Sequence, residues 1–104
     1  MRIITTGRLN EFMEQHPDAK LWLKNFKVVV SNAIWNSFGE LKQDFPSSDT
    51  VSTNATKDIR MVFDVKGNKY RIITHINFEY QILYLKAFWT HTEYSKINLK
   101  THVF

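Results

Sequence analysis

Hydrophobic residues in the first third of the chain recur with a helical period. Leu9, Phe12, Met13 and His16 fall at i, i+3, i+4 and i+7, and Leu23, Phe26, Val30 and Ile34 follow the same stripe. Thr6 is placed to cap the first helix. Pro17 closes it and suits the first turn of a second, running from about Asp18 to Asn32. Two helices with so short a break make a helical hairpin. His16 lies on the apolar stripe, which marks it as a packed helix-end side chain rather than a ligand. Ser37-Phe38-Gly39-Glu40 has the form of a capping box, opening a short helix that Pro46 ends after Phe45. Met1–Thr5 is β-prone and suits an edge strand, whereas Pro46 to Thr56 is rich in Ser, Thr, Asp and Asn and reads as a loop.

After Lys57 the period changes to two. Ile59, Met61, Phe63 and Val65 alternate with Arg60, Val62 and Asp64, and Lys66-Gly67-Asn68-Lys69 supplies a tight turn. Further strands are predicted from Tyr70 to Asn77 and from Ile82 to Trp89, around a turn near Phe78-Glu79-Tyr80. Helices first and strands second give an α+β fold, an N-terminal helical hairpin packed on a C-terminal antiparallel β-meander.

With 104 residues, the chain has room for a single domain spanning 1–104, on the scale of ~100–200 residues per domain. The absence of cysteine excludes a disulfide framework, a thiolate metal site and a thiol nucleophile together. Met1–Thr6 has no apolar signal-like stretch and no long apolar run follows, so the expectation is a cytoplasmic protein without membrane attachment. The net charge of +4 is unevenly spread. Up to Thr56 six acids balance six bases, while from Lys57 onward eight bases face four acids. A one-sided positive field of this kind favours polyanionic partners.

A hairpin tip at Gly67 and Asn68 pairs Phe63 with Ile72, Asp64 with Arg71 and Arg60 with His75. Carried across the next turn, the alternation adds Tyr84, Lys86 and Phe88 to the face of Arg71, and puts Ile72, Ile76, Leu83, Leu85 and Trp89 under the helices. Arg60, Arg71, His75, Tyr84 and Lys86 thus share an exposed face on which cations alternate with rings, a pattern that suits RNA. Beyond it, Thr90-His91-Thr92-Glu93-Tyr94 brings an imidazole, a carboxylate and a phenol to the end of a strand, either as a converging site or as a polar C-terminal turn. Phosphate-binding glycine loops and zinc or nucleophile-elbow motifs are missing, the histidines are scattered, and carboxylates are few in the basic half. No cofactor and no metal site are expected.

In Met1-Arg2-Ile3-Ile4, His16-Pro17-Asp18-Ala19, Phe45-Pro46-Ser47-Ser48-Asp49, Val62 to Arg71 and Thr90-His91-Thr92-Glu93-Tyr94, the chain resembles the HigB family of toxins, mRNA interferases of type II toxin–antitoxin systems within the RelE/ParE superfamily. The family often continues Glu-Tyr-Asp where Ser95 stands here. The resemblance implies a RelE-like ribonuclease fold, cleavage of mRNA on the translating ribosome and inhibition by a cognate helix-turn-helix, HigA-like antitoxin. On that basis the toxin alone is expected to be a monomer, with higher-order assemblies supplied by the antitoxin.

RNA carries its own nucleophile in the 2′-hydroxyl. A metal-free enzyme must take its proton, stabilise the charged phosphorane and protonate the leaving 5′-oxygen. His91 is the candidate general acid or base, Arg71 the bidentate clamp on the scissile phosphate, and Tyr94 a base-stacking or proton-relay group. Lys57, Arg60, Asn68, Lys69, His75 and Lys86 are candidate RNA contacts. The alternative is a non-catalytic toxin or binding module on the same scaffold, acting on a protein such as DNA gyrase.

Overall fold

The computed structural model describes residues 1–4, 6–52, 59–67 and 69–98. Its elements run β1 (Arg2–Ile4), α1 (Thr6–Gln15), a 3₁₀ turn (Pro17–Ala19), α2 (Lys20–Asn32), α3 (Phe38–Asp44), β2 (Asp49–Ser52), β3 (Ile59–Val65), β4 (Tyr70–Asn77), β5 (Ile82–Thr90) and α4 (His91–Lys96). The strands form one five-stranded sheet in the order β1-β5-β4-β3-β2. It is antiparallel except at one edge, where β1 runs parallel to β5. The expected meander is its centre.

The helices cover one sheet face. Leu9 and Met13 of α1, Leu23, Phe26 and Val30 of α2, and Leu41 of α3 are buried against Met61, Phe63, Val65, Ile72, Ile76, Leu83, Leu85 and Phe88. Burial of this apolar surface, at roughly 25 cal/mol per Å², is what holds the helices on the sheet. Rings dominate the centre: Phe26 packs edge-on against Phe63 at 5.0 Å, and Phe45 does so at 5.1 Å. The second helix stops at Asn32, so Ile34 falls past its end and is 77% exposed, against the expectation of a core position. Trp35 enters the core instead, and its indole donates to Asp44 at 2.8 Å. Ser37 caps α3 as expected, its side chain accepting from the Glu40 amide at 3.2 Å, but the box is only half formed: the Glu40 carboxylate accepts from the Asn36 amide at 3.1 Å, one residue before the cap.

The β3–β4 register is the one that the turn predicts, with Phe63 opposite Ile72, Asp64 opposite Arg71 and Arg60 opposite His75. Lys66 (φ 53°) and Gly67 (φ 69°) occupy the left-handed region at the hairpin tip, which glycine enters at little cost and lysine does not.

Two expectations fail nearby. The stretch read as a loop after Pro46 contains β2, which pairs antiparallel with β3, Val51 opposite Arg60. The pairing of β4 with β5 slips at Ile73/Thr74, where Ile73 faces Ala87 and Thr74 faces Leu85, leaving Lys86 as the extra residue. A bulge of this kind inverts the alternation beyond it. Trp89 therefore joins Arg71 on the face away from the helices, while Phe88 turns inward to stack on Phe12 at 4.8 Å and on Tyr70 at 5.1 Å.

Candidate functional site

The sheet face opposite the helices carries a second, smaller apolar cluster of Val62, Ile73 and Ala87, flanked by Val51, Trp89 and Tyr94. Just past the end of β5, the Thr90 side chain accepts from the Glu93 amide at 3.1 Å and the Glu93 carboxylate accepts from the Thr90 amide at 3.0 Å. This reciprocal capping box turns the chain directly from strand into α4. The polar segment expected to be a turn or a site is thus a short helix, and its carboxylate serves as a cap.

The cap brings two side chains to the cleft that Arg71 lines. His91, Tyr94 and Arg71 line one open cleft of about 440 Å³, together with Val51, Ile97 and Asn98. The Arg71 guanidinium carbon lies 5.6 Å from the centre of the Tyr94 ring. Its Nε donates to Asp64 Oδ1 at 3.0 Å, and one terminal nitrogen donates to the Tyr70 carbonyl at 3.3 Å. The guanidinium is therefore oriented from three sides. The expectation of a solvated Arg71 is corrected: its side chain is 12% exposed and that of Asp64 24%.

The other expected contacts are dispersed. His75 and Lys86 share the cleft's face with Tyr84: the His75 and Tyr84 rings are 5.8 Å apart, and the Lys86 ammonium lies 5.8 Å over the Tyr84 ring. Arg60 belongs to that face by register but is only 7% exposed, so the exposed basic surface expected there is closed at this residue. Lys57 and Asn68 lie outside the described residues. Lys69 does not line the cleft; its ammonium forms an ion pair and hydrogen bond with Asp18 in the 3₁₀ turn.

Asp18 is the residue that sequence reasoning passed over. Besides Lys69, its carboxylate accepts from the Tyr70 hydroxyl at 2.8 and 3.1 Å, and its carbonyl accepts from the Lys66 ammonium at 2.9 Å. Hydrogen bonds from Lys69 and then Tyr70 hold its carboxyl down at about 2. Burial, followed by the bond to Asp18, raises the Tyr70 phenol above its ordinary value, and the bond to Asp18 raises Lys69. His16 packs beside this cluster, 4.9 Å from Tyr70 and 5.2 Å from Phe88, as its place on the apolar stripe predicts. The signal was present in His16-Pro17-Asp18-Ala19, but its partners lie some fifty residues away.

Among the described residues no group of three or more histidine, aspartate or glutamate side chains is gathered to hold a metal ion. Among them, too, no helix is long and apolar enough to cross a membrane.

A family model described as HigB_toxin, the RelE-like toxic component of a toxin–antitoxin system, matches residues 19–97. The chain is 31% identical over 94 residues to the mRNA interferase toxin HigB of Escherichia coli K12, covering 90% of this chain and 88% of that one. It has the same identity and coverage with the mRNA interferase HigB of Shigella flexneri. With the mRNA interferase HigB of Escherichia coli O6:H1 the identity is 28% over 97 residues, covering 93% of this chain and 91% of that one. The match runs from the end of the 3₁₀ turn through α2, α3 and strands β2 to β5 to α4, leaving β1 and α1 outside it; the elements that build the cleft fall within it, and the chain belongs to the HigB toxin family.

Proposed function

We propose that the chain acts as a single domain, an endoribonuclease that cleaves mRNA on the translating ribosome in the cytoplasm without a metal ion. The observation that carries this is the convergence of Arg71, His91 and Tyr94 on one cleft, in a chain 31% identical to an mRNA interferase toxin. Both neighbouring carboxylates already have structural tasks, Asp64 on Arg71 and Glu93 at the cap. That leaves an imidazole, a phenol and a guanidinium for the chemistry.

In this mechanism the scissile phosphate enters against the Arg71 guanidinium, whose planar donors stabilise the dianionic phosphorane as the 2′-oxygen attacks. His91 exchanges the proton, as base toward the 2′-hydroxyl or as acid toward the leaving 5′-oxygen. Tyr94 stacks on an adjacent base or completes the relay. The products are a 2′,3′-cyclic phosphate and a free 5′-hydroxyl. His75 of β4 and Lys86 of β5 extend the binding track across the sheet face, with Lys57, Arg60, Asn68 and Lys69 as further candidates for contacts to messenger or ribosomal RNA. A toxin requires an antitoxin; here it is a helix-turn-helix, HigA-like protein that binds a monomeric toxin and supplies the higher-order assembly.

Expression in a bacterial host tests the proposal. Growth arrest with loss of mRNA, relieved by His91→Ala, is the expected result. Arrest with DNA damage and intact mRNA would instead indicate action on a target such as gyrase.

A further inference from the structure

Lys69 and Tyr70 stand between two groups of contacts. Their side chains both reach Asp18, the Tyr70 hydroxyl at 2.8 Å and the Lys69 ammonium through an ion pair. Their main-chain carbonyls point the other way, into the cleft's framework. The Lys69 carbonyl accepts from the His91 amide at 2.9 Å, which fixes the first residue of α4. The Tyr70 carbonyl accepts from the Arg71 guanidinium at 3.3 Å. The two peptide units held by Asp18 are thus the two that seat His91 and Arg71.

This arrangement adds to the sheet pairing of Tyr70 and Arg71 a tie that runs to the helical layer. Helix α4 is six residues long and fully buries none of them, so its position depends on its cap, on the packing of Tyr94 against the outer cluster and on the Lys69 carbonyl just before β4. The hairpin tip beside it carries two residues in the left-handed region. Asp18, anchored in the 3₁₀ turn between α1 and α2, ties that tip to the helical layer through Lys66, Lys69 and Tyr70.

We infer that Asp18 is a positioning residue for RNA cleavage, acting through Lys69 and Tyr70 to fix the two carbonyls that hold His91 and Arg71. The inference rests on the assignment of the cleft to RNA cleavage. It predicts a loss of turnover rather than of binding, since a misplacement of about 1 Å between reacting groups costs up to roughly a hundredfold in rate.

The test compares wild type, Asp18→Ala, Tyr70→Phe and Val30→Ala, the last a truncation in the helical core far from the tip. Cleavage of ribosome-bound mRNA gives kcat and KM, and hydrogen exchange of the His91 amide reports the seating of α4. For Asp18→Ala the expected result is a fall in kcat of about 10- to 100-fold, KM near wild type and faster His91 exchange. Tyr70→Phe keeps the ring against His16 and Phe88 but loses the donor, so it should shift both readouts in the same direction. It carries the test if Asp18→Ala does not fold. Val30→Ala should lower the thermal midpoint while leaving kcat and His91 exchange in place. Wild-type kcat and exchange in both Asp18→Ala and Tyr70→Phe would overturn the inference, as would a Val30→Ala whose kcat falls in step with its midpoint. A wild type that cleaves no mRNA removes the assignment of the cleft, and the exchange comparison then still decides whether Asp18 seats α4.

Discussion

Arg71 and Asp64 face each other across the β3–β4 ladder, and the Arg71 Nε donates to Asp64 Oδ1 at 3.0 Å. The pair is mostly enclosed, so it falls between a surface ion pair, worth ~0–1 kcal/mol, and a buried one, whose disruption costs ~3–5 kcal/mol. Arg71→Ala should therefore destabilise by about 1–3 kcal/mol, read as a thermal midpoint lowered by at least ~4 °C. At temperatures where the variant stays folded, cleavage should fall by at least about a hundredfold. Arg71→Lys should recover part of the stability and little of the activity, because a point charge does not replace a planar fork. Near-normal cleavage by folded Arg71→Ala would remove Arg71 from the chemistry.

Glu93 offers a cleaner separation of cap from catalyst. Glutamine serves a capping box as well as glutamate does, so Glu93→Gln should cleave at close to the wild-type rate. Thr90→Ala loses the box and costs about 1 kcal/mol, borne locally by α4. Its cleavage rate should drop while the thermal midpoint moves by no more than ~8 °C. A large loss of activity in Glu93→Gln would mean that the carboxylate takes part in the reaction.

Acid titration isolates Asp18. Its carboxyl is lowered from the ordinary 3.8 to about 2 in the folded protein, so its contribution to stability is complete above the ordinary value and is lost as pH falls toward 2. Thermal midpoints of wild type and Asp18→Asn should differ near neutrality and converge between about pH 4 and pH 2. On the alkaline side Tyr70 and Lys69 are both raised, so their contribution is present below their ordinary values of 10.0 and 10.5 and is lost above them. A constant gap between the two proteins across the acid window would show that the charge of Asp18 contributes nothing.

The cleaved ends bear on the chemistry directly. Toxin stripped of metal with EDTA and dialysed should cut ribosome-bound mRNA at the untreated rate in a buffer whose Mg²⁺ keeps the ribosome intact, and the upstream fragment should end in a 2′,3′-cyclic phosphate or the 3′-phosphate formed from it. Upstream fragments with 3′-hydroxyl ends would contradict the mechanism.

Much of the framework was legible because local signals fixed it. The turn at Lys66-Gly67-Asn68-Lys69 sets the β3–β4 register and with it the place of Arg71 opposite Asp64. The next register was not legible: the bulge at Ile73/Thr74 has no glycine or proline to announce it, and it exchanges the faces of Phe88 and Trp89. Strand β2 escaped notice because Asp49-Thr50-Val51-Ser52 is a short, mostly exposed edge with only Val51 partly covered. Helix α4 opens on Thr-x-x-Glu, a capping-box pattern like the Ser-x-x-Glu that marks α3, but it lacks an apolar stripe. Asp18 was hidden for a different reason: its value lies in partners brought to it by the fold, and no local pattern records them.

The central question is whether this cleft cuts RNA. Primer-extension mapping of a reporter mRNA in a translation extract tests that most directly, with wild type, His91→Ala and Arg71→Ala compared at equal folded concentration. Wild type should give discrete cleavage sites within the translated region that disappear when translation is blocked, Arg71→Ala at least about a hundredfold weaker signal, and His91→Ala an impaired one as well. Intact mRNA under wild-type toxin, or equal cleavage by all three proteins, would contradict the assignment of the cleft.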